Sequence, residues 1–269
     1  MKKITIAIVL VIAIVFTIIL LWRLPSDWRE KLLFPIKMPD VVTTAKTNNS
    51  DTHHFDEKIW LHRVNSIERA KLMQDNYIGF EIDIIWDSDS CLFYIAHDPH
   101  PEIYVTLENY FDNINNCHGR YFWLDFKNLN EENLVLALEY LLKLTKKHNI
   151  DIKNVIVESM SPDILSNFTT AGFSTSFYLP IWDFNPYTST ETEITEYAKL
   201  IDSLLQNSNV NYLSSDFLSY HFIKKYFPDS HFLLWHLKES RLTPYVRKKL
   251  TKDKNVKVIL THEISEGYW

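Results

Sequence analysis

The first apolar run in the chain is also its longest. From Ile4 to Trp22 the only polar side chains are Thr5 and Thr17, and at 1.5 Å per residue the run reaches about 28 Å, enough to span a bilayer as one helix. It ends at Leu20-Leu21-Trp22-Arg23-Leu24-Pro25 without small residues for a cleavage site, which predicts an uncleaved anchor with Trp22 at the interface. Lys2 and Lys3 on one flank are opposed by Arg23, Arg29 and Lys31 on the other. The preferred orientation is N-in, with residues 1–3 cytoplasmic and the globular part outside the cytoplasm. Residues 23–56 read as a juxtamembrane segment and linker: Met38 to Asp56 is rich in Thr, Asn and Asp and has no periodicity, the pattern of a tether.

From residue 57 to 269 short apolar runs alternate with amphipathic stretches. Predicted strands are 58–61, 78–86, 121–126, 155–157, 174–179, 210–213, 231–237 and 256–260. Predicted helices cover 67–76, 131–148, a segment from Pro162, 192–206, 220–227 and 244–250. Eight strands with helical crossovers imply parallel pairing and closure into a (β/α)8 TIM barrel, an α/β fold. Between Trp86 and Leu92 only five residues intervene, too few for a parallel crossover. Residues 91–96 should therefore return antiparallel, over the C-terminal mouth of the barrel, bringing His97 beside Glu81.

Composition removes several alternatives. Only four glycines occur, so neither a Rossmann nor a Walker phosphate loop can be assembled. A formal net charge of −6, with 28 basic and 34 acidic residues, leaves no global field for nucleic acid. Two cysteines, Cys91 and Cys117, do not make a disulfide framework, and spacing does not show whether they pair.

Ionisable residues sit at the C-terminal ends of several predicted strands: His62-Arg63, Glu81 and Asp83, Asp125 and Lys127, and Glu158. Glu81 and Asp83 alternate by two and share a face, as do Asp125 and Lys127. Carboxylates crowded at a barrel mouth are costly unless a cation joins them, and hard oxygen donors suggest Mg2+ or Ca2+, with Mg2+ preferred. His221, His231, His236 and His262 are read as structural or surface histidines. The lysine-rich stretches 143–147 and 247–254 are read as solvated helix ends.

His62-Arg63-Val64-Asn65, Glu81-Ile82-Asp83, His97-Asp98 and Thr106-Leu107-Glu108 resemble, in order and spacing, the motifs of glycerophosphodiester phosphodiesterases. Leu124-Asp125-Phe126-Lys127 is similar to the following strand of sphingomyelinase D-type phospholipases, and the segment from His62 is also similar to the menorin family. Weaker similarity over residues 157–162, 234–237 and 258–261 extends the match to about residues 58–263. The resemblance implies a phospholipase C-like phosphodiesterase barrel. On it, Glu81, Asp83 and Asp125 match the metal ligands, His62 and His97 the acid/base pair, Arg63 and Lys127 the phosphate-binding cations, and Asn65 and Trp235 the substrate pocket. Val64 stands where those enzymes carry glycine, their insertion between His97 and Thr106 is missing, and Thr261-His262-Glu263 replaces their terminal Thr-Asp or Thr-Asn. The expected activity is metal-dependent hydrolysis or lyase cleavage of a phospholipid or glycerophosphodiester-like substrate at a membrane. The alternative is a non-catalytic binding module of menorin type on the same barrel.

Overall fold

The computed structural model of the chain describes residues 2–22, 37–49, 54–98, 105–180, 184–236 and 243–262. Arg23, Arg29, Lys31, Leu237 and Glu263, invoked above, lie outside them. Nine strands are present among the described residues: β1 (Ile59–Leu61), β2 (Gly79–Asp87), β3 (Leu92–Ile95), β4 (Tyr121–Phe126), β5 (Val155–Ser159), β6 (Ser174–Tyr178), β7 (Tyr212–Asp216), β8 (Phe232–Trp235) and β9 (Val256–Thr261). All but β3 pair in parallel around a closed ring, β1-β2-β4-β5-β6-β7-β8-β9, and β9 returns to β1 through Ile59 to Leu61 against Ile259 to Thr261. This is the expected (β/α)8 barrel.

β2 is the longest strand and outruns its neighbours. Its last residues turn at 88–91 and pair antiparallel with β3, Ile84 opposite Ile95 and Asp87 opposite Leu92. The hairpin stands on the mouth, the rim formed by the C-terminal strand ends, as the short connection required. Cys91, in this turn at φ 54, is exposed, whereas Cys117 is buried, and both thiols are free.

The helices that follow are α1 (Lys2–Trp22), α2 (Ile67–Met73), α3 (Leu107–Asp112), α4 (Leu134–Lys147), α5 (Pro162–Ala171), α6 (Glu191–Gln206), α7 (Tyr220–Tyr226) and α8 (Thr243–Leu250). Their starts are written in the sequence. Ser66 and Thr106 accept hydrogen bonds from the backbone N–H of Arg69 and Asn109, while Thr190 and Glu193 form a capping box. α4 begins three residues later than expected, after a turn capped by Asn130, which accepts the N–H groups of Glu132 and Asn133, and by Asn133, which accepts that of Asn130.

Inside the barrel, alternate residues of each strand meet. Trp60 stacks on Tyr121 at 5.5 Å, and Phe55 closes the N-terminal end, or base, with its ring 4.9 Å from Trp60, 5.2 Å from Tyr121 and 6.1 Å from Tyr212. Gly79 faces the same space. A Cβ there would lie 2.2 Å from the Trp60 ring, so one of the few glycines is needed to admit an indole.

Residues 37–49, read from composition as part of a tether, lie as an extended strap on the base. Thr44 and Ala45 donate their N–H groups to Asp202 at 2.8 Å. Thr47, 2% exposed, donates its N–H to Ser230 Oγ at 3.1 Å and accepts from the His231 N–H, while the Asn48 N–H reaches Val210 O at 2.7 Å. The polarity taken for solvation serves these bonds.

α1 coincides with the apolar N-terminal run over 21 residues, and its described side chains from Val9 to Leu20 are exposed. Among the described residues no helix is long and apolar enough to cross a membrane, so the anchor rests on the sequence pattern alone.

Candidate active site

The C-terminal strand ends surround a cavity of about 250 Å3 lined by His62, Arg63, Glu81, Asp83, His97, Asp125, Lys127 and Trp235, eight of the nine residues expected there. The ninth, Asn65, stands just behind. Its Nδ2 donates to Asp83 Oδ2 at 2.6 Å and its Oδ1 accepts the Asp83 N–H at 2.9 Å, so it orients a carboxylate instead of lining the pocket.

Parity explains the convergence. Glu81 and Asp83 on β2 are in register with Trp123 and Asp125 on β4, so every second residue points inward and the acidic ones stack at the rim. One oxygen from each of Glu81, Asp83 and Asp125 lies within 4.8 Å of the others. Lys127 bridges two of them, with Nζ 2.8 Å from Asp83 and also bound to Asp125. Burial raises the Glu81 carboxyl well above the ordinary range, and Asp83 and Asp125 push it further. Asp125 is raised by burial and Asp83 against the pull of Lys127. Burial works against the Lys127 ammonium, but Asp125 and Asp83 outweigh it and hold its pKa above the usual value. Three carboxylates against one ammonium leave two negative charges uncompensated when all ionise. A buried, all-oxygen donor set with that charge fits a hard divalent cation.

Arg63 has φ 54, a left-handed conformation unusual for a residue with a side chain. The turn aims its N–H at Glu81 Oε2, 2.6 Å away, while the Val64 N–H pairs with Glu81 O at 2.8 Å. The left-handed position is therefore 63. Val64 is fully buried in ordinary backbone geometry, and its carbonyl accepts from the Tyr110 hydroxyl at 2.9 Å, so nothing in the backbone at this position requires glycine.

The two expected catalytic histidines occupy different settings. His97 follows β3 as the hairpin predicted, where Ala96 N–H bonds to Asp83 O at 3.1 Å. Its ring is half exposed, with Nδ1 3.2 Å from Asp98 Oδ1. A carboxylate accepts, which places the His97 proton on Nδ1 and leaves Nε2 able to take one. His62 is 7% exposed, with Nε2 3.5 Å from Glu81 Oε2 and Nδ1 2.9 Å from His262 Nε2. Burial, then His262, Arg63 and Lys127, lowers its pKa well below the usual histidine value, so the ring is neutral at pH 7.

His262, expected among the structural or surface histidines, is instead the direct partner of His62. Its Nε2 also lies 3.0 Å from His236 O. A carbonyl accepts only, so His262 carries a proton on Nε2 and His62 Nδ1 becomes the accepting side. The His62 proton then sits on Nε2, toward Glu81. His236 is likewise tied in, its Nδ1 2.9 Å from Asp216 Oδ2. Glu158, at a predicted strand end but outside the expected site, belongs to it. It lines the cavity at 1% exposure and accepts from Ser176 Oγ at 2.7 Å; burial, then Asp125, raises its carboxyl well above the usual range. Its place in register with Asp125 could have signalled it. Tyr178, also missed, stacks on Trp235 at 5.7 Å and forms the aromatic wall across from the acids.

No family model matches the chain, and no curated protein matches it. Solved structures do. A glycerophosphodiester phosphodiesterase from Parabacteroides distasonis superposes with a TM-score of 0.53 at 12% identity, over 80% of this chain and 95% of that one. A phosphodiesterase from Oleispira antarctica, solved in complex with the product sn-glycerol-3-phosphate, gives 0.51 at 12% identity, over 76% of this chain and 92% of that one. At such identities the likeness is one of fold: the chain is a (β/α)8 barrel of the kind on which these phosphodiesterases are built.

Proposed function

We propose that the chain is a metal-dependent phosphodiesterase that cleaves a phospholipid or glycerophosphodiester-like substrate at the barrel mouth. The observation that carries this reading is the convergence of Glu81, Asp83 and Asp125 in one cavity with His62, His97 and Lys127. Likeness of fold to phosphodiesterases supports it.

Glu81, Asp83 and Asp125 would hold the ion, Mg2+ before Ca2+, with Asn65 and the Arg63 N–H keeping Asp83 and Glu81 in place. A divalent ion supplies charge neutralisation for the phosphoryl oxygens. Lys127 and the Arg63 side chain line the same cavity and add positive charge where the equatorial oxygens gather negative charge. His97, with Nδ1 held by Asp98, takes the proton of the attacking hydroxyl on Nε2. His62, neutral and backed by His262, keeps its Nε2 proton and directs it as a hydrogen bond toward the leaving oxygen, which takes its own proton from solvent. Trp235 and Tyr178 pack against the group esterified to phosphate. The attacking hydroxyl comes from water or from the substrate itself, giving a monoester or a cyclic phosphate.

We read the apolar run from Ile4 to Trp22 as a single-pass anchor and, with Lys2 and Lys3 before it, place the barrel outside the cytoplasm. Purified chain with Mg2+ and a panel of phosphodiesters tests the activity. His97→Ala is expected to lower turnover by about 10²–10⁴-fold. Turnover unchanged by both His62→Ala and His97→Ala would remove the reading.

A further inference from the structure

Because β2 outruns β4, the backbone groups of its last residues face no strand on that side. Pairing ends at Ile84 against Phe126, and the Lys127 N–H still reaches Ile84 O at 3.0 Å. Counted on in that register, Asn128 falls opposite Trp86. There the chain has turned toward α4, and the Asn128 carbonyl is taken by Asn133 Nδ2 at 2.8 Å. The Asn128 side chain continues the ladder instead. Its Oδ1 accepts the Trp86 N–H and its Nδ2 donates to Trp86 O, both at 2.8 Å. A primary amide carries the donor and the acceptor of a peptide group, whereas the carboxylate of an aspartate accepts only.

What hangs on this clamp is His97. The other edge of the β2 extension pairs with β3, and the Ala96 N–H closes that ladder on Asp83 O at 3.1 Å. His97 is the next residue. Among the described residues its ring is hydrogen-bonded only to the neighbouring Asp98, so its place in the cavity is inherited from the hairpin. Lys127, bound to Asp83 and Asp125, directly precedes Asn128. One side chain thus ties the strand end that carries the ammonium to the hairpin that carries the base. Two of the carboxylates have their own supports, Asp83 from Asn65 and Glu81 from the Arg63 N–H.

Resting on the phosphodiesterase reading above, we propose that Asn128 is a positioning residue for His97. By holding both backbone groups of Trp86 it locks the β2–β3 hairpin to the end of β4, and so sets the distance from His97 to a phosphorus bound at Lys127 and the carboxylates. Without the clamp the hairpin leans, and His97 moves while the carboxylates stay. A misplacement of about 1 Å at a reacting group lowers the rate by about 10²-fold.

The test is a double-mutant cycle on the purified full chain with Mg2+ and a soluble glycerophosphodiester. Asn128→Ala is expected to lower kcat by about 10²-fold with KM little changed. In a His97→Ala background the same substitution is expected to cost almost nothing further, because the group it positions is gone. An unchanged kcat, or an equal loss in both backgrounds, would overturn the proposal; the equal loss is what general loosening of the barrel or displacement of Lys127 would give. Asn128→Asp, which keeps the acceptor and loses the donor, is the second variant should Asn128→Ala not fold. It is expected to lose kcat in the same way, and wild-type kcat in it would overturn the proposal. The rise in Tm that Mg2+ gives is expected to survive Asn128→Ala; its loss would mean that Asn128 serves the metal ligands instead, and would also overturn it. Amide exchange of residues 86–96, followed by NMR, is expected to be several-fold faster in the variant. Equal exchange would contradict the clamp. If the wild type cleaves no diester, the phosphodiesterase reading fails and the catalytic half of the proposal with it, while exchange still decides whether Asn128 holds the hairpin.

Discussion

Arg63 shows how one residue can be strained for the sake of a site. Its left-handed backbone costs about 1–2 kcal/mol for a residue with a side chain and directs an N–H to Glu81. Arg63→Gly is therefore expected to stabilise the fold by about 1 kcal/mol while lowering turnover, because the guanidinium leaves the cavity. A urea melt and a rate assay on the same preparation check both halves. Glu81 carries the complementary strain, a buried carboxyl pushed up by Asp83 and Asp125. Glu81→Gln should raise the melting temperature without metal and abolish the rise that Mg2+ gives the wild type, a rise worth about 2.7 kcal/mol at a hundred times the dissociation constant. Both outcomes are read by calorimetry. At this scale much of the site was legible, because carboxylates at alternating positions near a strand end have no apolar explanation. His262 was not legible: nothing in its neighbours signals that the end of β9 turns its ring onto His62 across 200 residues.

At the scale of elements, the alternation of strands and helices and the short Trp86–Leu92 connection foretold the barrel and the hairpin that delivers His97 to the cavity. Strand ends moved by one to three residues, as at β7, which runs to Asp216 and begins at Tyr212, just after Asn211 uses its side chain to accept the Thr175 N–H at 2.9 Å. The strap was the element that composition misled. A polar, aperiodic segment looks the same whether its backbone meets water or carbonyls of the barrel, and only the partners distinguish the two. Asp202 accepts from two strap N–H groups. Asp202→Ala should cost about 1–3 kcal/mol and expose residues 37–49 to protease well before the barrel itself is cut.

For the whole molecule, buried histidines and buried carboxyls pull stability in opposite directions with pH. Burial, then Lys257, lowers His231 to about 4 from an ordinary value of 6.5. Between those values the unfolded chain binds a proton there that the folded chain does not, so folding loses stability as pH falls from about 6.5 to about 4. His231→Gln removes that dependence, and the difference from wild type is expected to shift in favour of the variant across this window in denaturant melts. Glu81, Asp125 and Glu158 act the other way. Their raised pKa values favour the folded chain in acid, and that advantage is lost as pH rises through them. A cation among the carboxylates relieves this loss, which links the stability of the barrel to its proposed chemistry. Phosphorus NMR of a soluble glycerophosphodiester, incubated with Mg2+ and either the wild-type chain or Asp83→Asn, tests that link most directly. Conversion of the diester resonance into a monoester or cyclic phosphate by the wild type, lost with Asp83→Asn and with chelator, is the expected result. A diester left intact by the wild type, or converted equally by the variant, would contradict it.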